Sequence, residues 1–295
     1  MMKAMKKLLA LLLALLLCPL ACAEETPLLE VHQMALGFAD GYLIRLGDID
    51  IVVDGGNPEP TKPTDDMLRY LREAGVDTLD AYIATHWHLD HCMNMNLILD
   101  DFGDENTLVY GVTETVPDQI NNGTVTVAIG GPVKGSYRQM KNGDVLDFGG
   151  MTLTCIGPET LSMEGQANVD SLNFVLQYGQ RRFLFTGDFA QSGAIIGQYS
   201  ELCANVDVLK VPHHGNQPYE IGNKASRTVR PQYVLVPGVT NEHKLWDFFD
   251  DLVVKVPRDN VLSNADGHVV ILTDGAERFD VLTQQNPADY APKMN

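Results

Sequence analysis

His86-Trp87-His88-Leu89-Asp90-His91 packs three of the chain's eight histidines and one carboxylate into six positions. The hexapeptide follows Leu79 to Ala84, a short apolar run that reads as a buried strand. His86 and His88 are two apart, so in an extended segment their rings point to the same side. Asp90 and His91 come where the chain must turn, and can face a second point a few ångströms away. Imidazole with carboxylate suits zinc, manganese or iron, not calcium or magnesium. Two such cations about 3.5–4 Å apart turn a shared hydroxide into a strong nucleophile. The chemistry implied is metal-assisted hydrolysis. Loop histidines at a surface are the ordinary alternative, but three of them with an aspartate at a strand end argue against it.

Further donors stand at other strand ends. Phe183-Leu184-Phe185-Thr186-Gly187-Asp188 ends a strand on a carboxylate, and Val208 to Val211 is followed by Pro212-His213-His214-Gly215. A carboxylate such as Asp188 can bridge two cations, one oxygen to each. Standing alone, Asp188 would read as the N-cap of a helix starting at Phe189.

These donors need a scaffold. Runs rich in Val, Ile, Tyr and Phe recur at 42–46, 49–53, 79–84, 108–110, 124–129, 151–156, 172–177, 183–185, 206–211, 233–236 and 269–272. Most are bounded by Gly, Asn, Asp or Pro, as strands are. Helices are expected at Thr64–Ala74, closed by Gly75, at Phe189–Leu202 and at Glu242–Val254. The interleaving implies sheets covered by helices in one domain, residues 28–283, with a loose tail at 284–295.

Residues 1–23 read as a secretory leader: Lys3, Lys6 and Lys7, then the apolar block Leu8–Leu17, then Ala21-Cys22-Ala23 as a cleavage site. The block is short for a membrane span, so the expectation is a secreted or extracytoplasmic chain without a transmembrane segment after the leader. Cys22 leaves lipoprotein anchoring as the alternative. Loss of the three leader lysines takes the formal net charge from −18 to −21. That charge repels polyanions and disfavours nucleic acid as a partner. Cys92, Cys155 and Cys203 remain, compatible with one bridge and a spare thiol or with three buried thiols.

The hexapeptide matches H-x-H-x-D-H, and the chain resembles the metallo-β-lactamase fold superfamily. Val53-Asp54-Gly55-Gly56, Asp188 and His213-His214 match its other motifs in order. The resemblance implies an α/β fold, an αββα four-layer sandwich, with a two-metal hydrolytic centre at one edge. Lactamase-like and glyoxalase-like members place another histidine on the first metal, yet this chain has none between His91 and His213. Asn168, Ser171 and Leu172 ahead of Thr186-Gly187-Asp188, together with "GFADGYLI", "DVLKVPHHG" and "HVVILTDG", resemble the hydrolase domain of the competence DNA-uptake channel. Phosphorylcholine esterases are similar in arrangement. Two departures are Cys92-Met93, where the family carries Gly-Gly, and Asn216, where it often carries serine.

The resemblance implies roles. His86 and His88 bind a first ion, and Asp90, with His91 beside it, binds a second. Asp188 bridges. His214 is favoured over His213 as a ligand because it precedes Gly215, leaving His213 to meet a substrate phosphate. His243 stands where competence-type relatives carry a histidine, and is the candidate acid for the leaving group. His32 and His268 read as structural. Lys224, Arg227 and Arg230 form a basic stripe if helical, more simply a solvated face. The expected cofactors are two divalent ions, zinc first, with manganese or iron as alternatives. The expected function is hydrolysis of a phosphodiester, a small molecule or an envelope ester. Carboxylic ester, thioester or lactam hydrolysis on the same metals is the alternative, and a non-catalytic metal-binding envelope module the second.

Overall fold

The structure, a computed structural model, describes residues 26–56, 65–121, 126–128, 134–163, 165, 167–191, 193–215, 223–238 and 256–284. The strands are β1 (Leu29–Gln33), β2 (Tyr42–Leu46), β3 (Ile49–Val53), β4 (Ala81–Ile83), β5 (Leu108–Gly111), β6 (Gln119–Asn121), β7 (Thr126–Ala128) and β8 (Ser136–Gln139). They continue as β9 (Val145–Phe148), β10 (Met151–Gly157), β11 (Asn173–Tyr178), β12 (Arg181–Phe185), β13 (Val208–Lys210), β14 (Tyr233–Val236), β15 (Val261–Ser263), β16 (His268–Thr273) and β17 (Phe279–Gln284). The helices are α1 (Asp65–Glu73), α2 (Leu89–Cys92), α3 (Met95–Phe102), α4 (Gly193–Gln198), α5 (Ser200–Cys203) and α6 (Asn223–Val229).

Two large sheets form. One has the order β17-β16-β1-β2-β3-β4-β5-β8, and the other β15-β14-β13-β12-β11-β10-β9. Within the first, β3, β4, β5 and β8 run parallel; within the second, β12 to β15 do. Side-chain alternation shows how the sheets stack. Phe174, Leu176, Phe183, Phe185 and Val208 join the core shared with β1 to β5, while Val175, Leu184 and Leu209 join Ile196, Ala225 and Val229 of α4 and α6. β11, β12 and β13 therefore face a sheet on one side and helices on the other. On the far side of the first sheet, Met67 and Leu71 of α1 and Ile98 and Leu99 of α3 are buried. The layering is αββα, as the motifs imply. Between the sheets, Phe174 stacks on Phe185 with ring centroids 4.9 Å apart, and Tyr42 meets Phe185 edge-on at 5.3 Å. Each such ring contributes about 1.5–3 kcal/mol by leaving water.

The helix expected over Phe189–Leu202 is broken. Asn173 on β11 accepts from the Gln191 amide at 3.2 Å and donates to the Phe189 carbonyl at 2.9 Å, which holds 189–191 as a turn. Helix starts only at Gly193 and restarts at Ser200, so Asp188 is no helix cap. α1 stops as expected before Gly75, whose φ of +77° suits glycine. α6 ends at Val229 and Arg230 has φ 38°, so the basic stripe is not one helical face. Cys92, Cys155 and Cys203 are all free and buried. The leader, the expected Glu242–Val254 helix, His243 and residues 285–295 of the tail lie outside the described residues. Among the described residues, no helix is long and apolar enough to cross a membrane.

Candidate metal centre

The parallel strands deliver chemistry to one edge. β3 ends just before Asp54, β4 leads into His86, β12 ends before Asp188, and β13 leads into His213-His214. Polar groups belong at such carboxyl ends, where loops replace the ladder and side chains of neighbouring strands converge. His86, His88 and Asp188 bring one donor atom each within 4.8 Å of one another, and so do Asp90, His91, Asp188 and His214. Asp188 belongs to both groups. Its Oδ2 lies 3.9 Å from His86 Nε2, and its Oδ1 lies 3.1 Å from His91 Nε2 and 3.7 Å from His214 Nε2. His214 Nε2 is 3.2 Å from Asp90 Oδ2.

These donors fit a metal by a direct criterion. His86 Nε2, His91 Nε2 and Asp188 Oδ1 are buried and have no hydrogen-bond partner. Buried polar atoms are satisfied in the great majority of cases, so three converging exceptions require an explanation. Soft nitrogen and hard carboxylate together match zinc-like cations.

A second layer fixes the rings. Asp54 accepts from the Thr85 amide at 2.8 Å and from the Thr85 hydroxyl at 2.7 Å, and it pairs with His91 Nδ1 at 2.8 Å. The Thr85 hydroxyl in turn lies 3.2 Å from His86 Nδ1, and the Ser171 hydroxyl 3.3 Å from it. With Nδ1 occupied in both rings, the Nε2 lone pairs point at Asp188. Gly56 makes this closeness sterically possible. A Cβ there would come within 1.8 Å of the Asp90 carbonyl carbon. Backbone bonds from Gly55 to His91 (2.6 Å), from Asn94 to Gly55 (2.9 Å) and from Asp40 to Asp90 (3.0 Å) bind the two loops together.

Charge follows from that packing. Burial pushes His86 well below the ordinary histidine value and keeps it neutral, as a ligand must be. Burial also acts to lower His91, but Asp188, Asp54, Asp40 and Asp90 outweigh it and raise the ring well above the usual range. Burial acts to raise Asp188, but His91 and His214 hold it well below the usual carboxylate range.

His86, His88, Asp90, His91, Asp188 and His214 come together. His213 is half-buried and outside both donor groups, whereas His214 is 4% exposed and inside one. Both carry positive φ, 50° and 55°, a conformation costly for residues with a Cβ and typical of functional turns. His32 pairs with Tyr70 at 2.6 Å and His268 accepts from the Ala35 amide at 3.0 Å, both apart from the donor groups. Cys92 donates to the His88 carbonyl at 2.9 Å, and burial pushes its thiol well above the ordinary value.

The segment lacking the extra histidine has another task. The Asp170 carboxylate accepts from the amides of Ser162 (2.6 Å), Met163 (2.9 Å) and Gly165 (2.9 Å). Gly165 then accepts from the Trp87 amide at 2.7 Å, and the Leu172 amide donates to Thr85 at 2.8 Å. The loop clamps the His86–His88 stretch from both sides. Thr85 was not singled out by residue type, and Asp40, Asp54, Ser171 and Lys210 only as parts of motifs; all five are buried near strand ends.

Two stacked sheets with a two-group cluster of imidazoles and carboxylates at one edge define the scaffold of a metal-dependent hydrolase. Residues 35–218 match the metallo-beta-lactamase superfamily, and the chain belongs to it. ComE operon protein 3 of Bacillus subtilis (strain 168) is 22% identical over 179 residues, 59% of this chain and 22% of that protein, so the match spans about a fifth of the relative's length. The metallo-beta-lactamase fold protein YhfI from Bacillus subtilis has a similar fold, with a TM-score of 0.54 and 14% identity over 83% of this chain and 100% of that one. The chain is a metal-binding hydrolase of this superfamily with competence-like resemblance.

Proposed function

We propose that this chain is an extracytoplasmic phosphodiesterase that works with two divalent cations, zinc foremost. The observation that carries the reading is Asp188, whose two oxygens face two different sets of donors, 3.9 Å from His86 and 3.1 Å from His91. A carboxylate so placed suits a pair of ions better than a single one. When bound, such a pair supplies Lewis acidity and water of lowered pKa, and it neutralises charge on a phosphoryl group.

The chain's own residues do the rest. His86 and His88 hold one ion and Asp90, His91 and His214 the other, with Asp54 and Thr85 fixing the tautomers. Asp90 is the most open of the aspartates here, its side chain 32% exposed, and orients the attacking water. His213, beside the cluster but outside it, meets the substrate phosphate. His243 is assigned the leaving-group proton. The first donor set, without a third histidine, favours phosphodiesters over lactams and thioesters. The acidity of the chain favours a small-molecule or envelope ester over nucleic acid. Residues 1–23 are the proposed leader, and 28–283 the proposed hydrolase domain.

Protein loaded with zinc or manganese is expected to cleave bis(p-nitrophenyl) phosphate, and His88→Ala to abolish this. Turnover of nitrocefin or a thioester with no phosphodiester cleavage would overturn the proposal.

A further inference from the structure

Lys210 ends β13 and is 2% exposed. Fully buried lysines are rare, because an ammonium leaves water at a cost of several kcal/mol unless it is paired. Strand alternation sets Lys210 on the side of Val208, which faces the space between the sheets. There its Nζ contacts Asp40 Oδ2, donates to the Gly187 carbonyl at 2.6 Å and lies 3.7 Å from Asp188 Oδ1. Burial acts to lower the affinity of this amine for its proton, yet Asp40 and Asp188 outweigh it and raise it.

Asp40 is equally buried and touches the same centre. Its Oδ1 lies 3.4 Å from His214 Nδ1 and its Oδ2 3.6 Å from His91 Nδ1. Asp40, Asp54 and His91 even satisfy the spacing of a further cation site. A cation is already there, carried by the chain. Counted at formal charge, two divalent ions would balance the four carboxylates of Asp40, Asp54, Asp90 and Asp188, and the ammonium would add one positive charge.

We propose that Lys210 is the internal cation of the metal centre: its ammonium neutralises Asp40 and steadies Asp188 in the metal-free chain, and so sets how tightly the divalent ions are held. This rests on the metal-centre reading above. Lys210 is a positioning residue, and its charge works in two directions. It stabilises the carboxylate cluster before metal arrives. It also repels the incoming ions, because a like charge within a few ångströms in a low-dielectric site acts strongly. A lysine that merely fills space would do neither.

The test uses zinc as the probe and a chromophoric chelator as competitor, with metal-free and zinc-loaded melting temperatures measured alongside. Lys210→Met keeps the length of the side chain and removes the charge. It is expected to lower the metal-free melting temperature, enlarge the zinc-induced rise, and tighten zinc binding by roughly tenfold or more. Asp40→Asn is expected to weaken zinc binding, and adding Lys210→Met to it to tighten binding again. If Lys210→Met alone does not fold, comparison of the Asp40→Asn protein with the double variant decides. Affinity unchanged within about threefold, or weakened, on loss of the lysine charge would overturn the proposal. Zinc stoichiometry of the unaltered chain tests the two-ion reading separately. One ion per chain would sink that reading while the Lys210 comparison still decides on that ion, and none would sink both.

Discussion

Replacement of Asp54 by asparagine tests the second layer without touching a proposed ligand. The carboxylate receives three contacts, from the Thr85 amide, the Thr85 hydroxyl and His91 Nδ1, all between 2.7 and 2.8 Å. Asparagine keeps the shape but has one acceptor oxygen. With that oxygen on the Thr85 amide, its NH2 faces His91 Nδ1, and a donor facing a donor forces the ring proton to Nε2. Nε2 is the atom 3.1 Å from Asp188 Oδ1, where the lone pair is needed. Removal of an outer-shell partner costs 10- to 100-fold in metal affinity, about 1.4–2.8 kcal/mol. Chelator competition with zinc measures the affinity, and circular dichroism establishes that the variant is folded. Asp48→Asn, in an exposed turn, controls for the loss of one negative charge. A folded Asp54→Asn protein with zinc affinity within about threefold of the parent would refute the reasoning.

His214→Ala is expected to lose one ion per chain by elemental analysis, whereas His213→Ala keeps the full complement and loses about 10²-fold in turnover. The reverse pattern would exchange their roles. Stability should also fall in mild acid through His32, which belongs to none of the donor groups. Burial lowers its pKa below the unfolded value of about 6.5, so the unfolded chain binds the proton more readily. The contribution is therefore intact above that value and is lost as pH falls through it toward the folded pKa. Urea unfolding of the zinc-loaded protein between pH 8 and pH 5 measures this. His32→Gln should flatten the slope, by at most about 1.4 kcal/mol per pH unit for one proton.

The candidate donor set was legible because metal binding demands particular residue types at strand ends, and His86 to His91 carries four of them within six positions. Strands were legible as apolar runs where both faces are largely buried, as in β10 to β12. They were obscured in β1, where Glu30, His32 and Gln33 pair with buried partners, and in β8 and β9, whose residues alternate between exposed and half-buried. Phe189–Leu202 looked helical because nothing local announces that Asn173, sixteen residues earlier, captures the Phe189 carbonyl. The supporting residues were hidden for the same reason. Asp40, Asp54 and Lys210 are ordinary in local context, and only the docking of two sheets makes their charges neighbours.

That docking is where fold and chemistry meet. The first sheet supplies His86, His88, Asp90 and His91 through β4, together with Asp54 from β3. The second supplies Asp188 and His214 through β12 and β13. Neither sheet alone completes either of the two groups that share Asp188, since each joins Asp188 to at least one imidazole from the first sheet. An ion bound to such a group binds only the docked sandwich, so its binding energy becomes stability. At a free metal concentration a thousandfold above Kd the linkage is about 4 kcal/mol per ion, comparable to the total stability of a marginal domain. Before metal arrives the same carboxylates repel one another across the sheet interface. The ammonium of Lys210, 3.7 Å from Asp188 Oδ1, is what the chain itself offers against that repulsion.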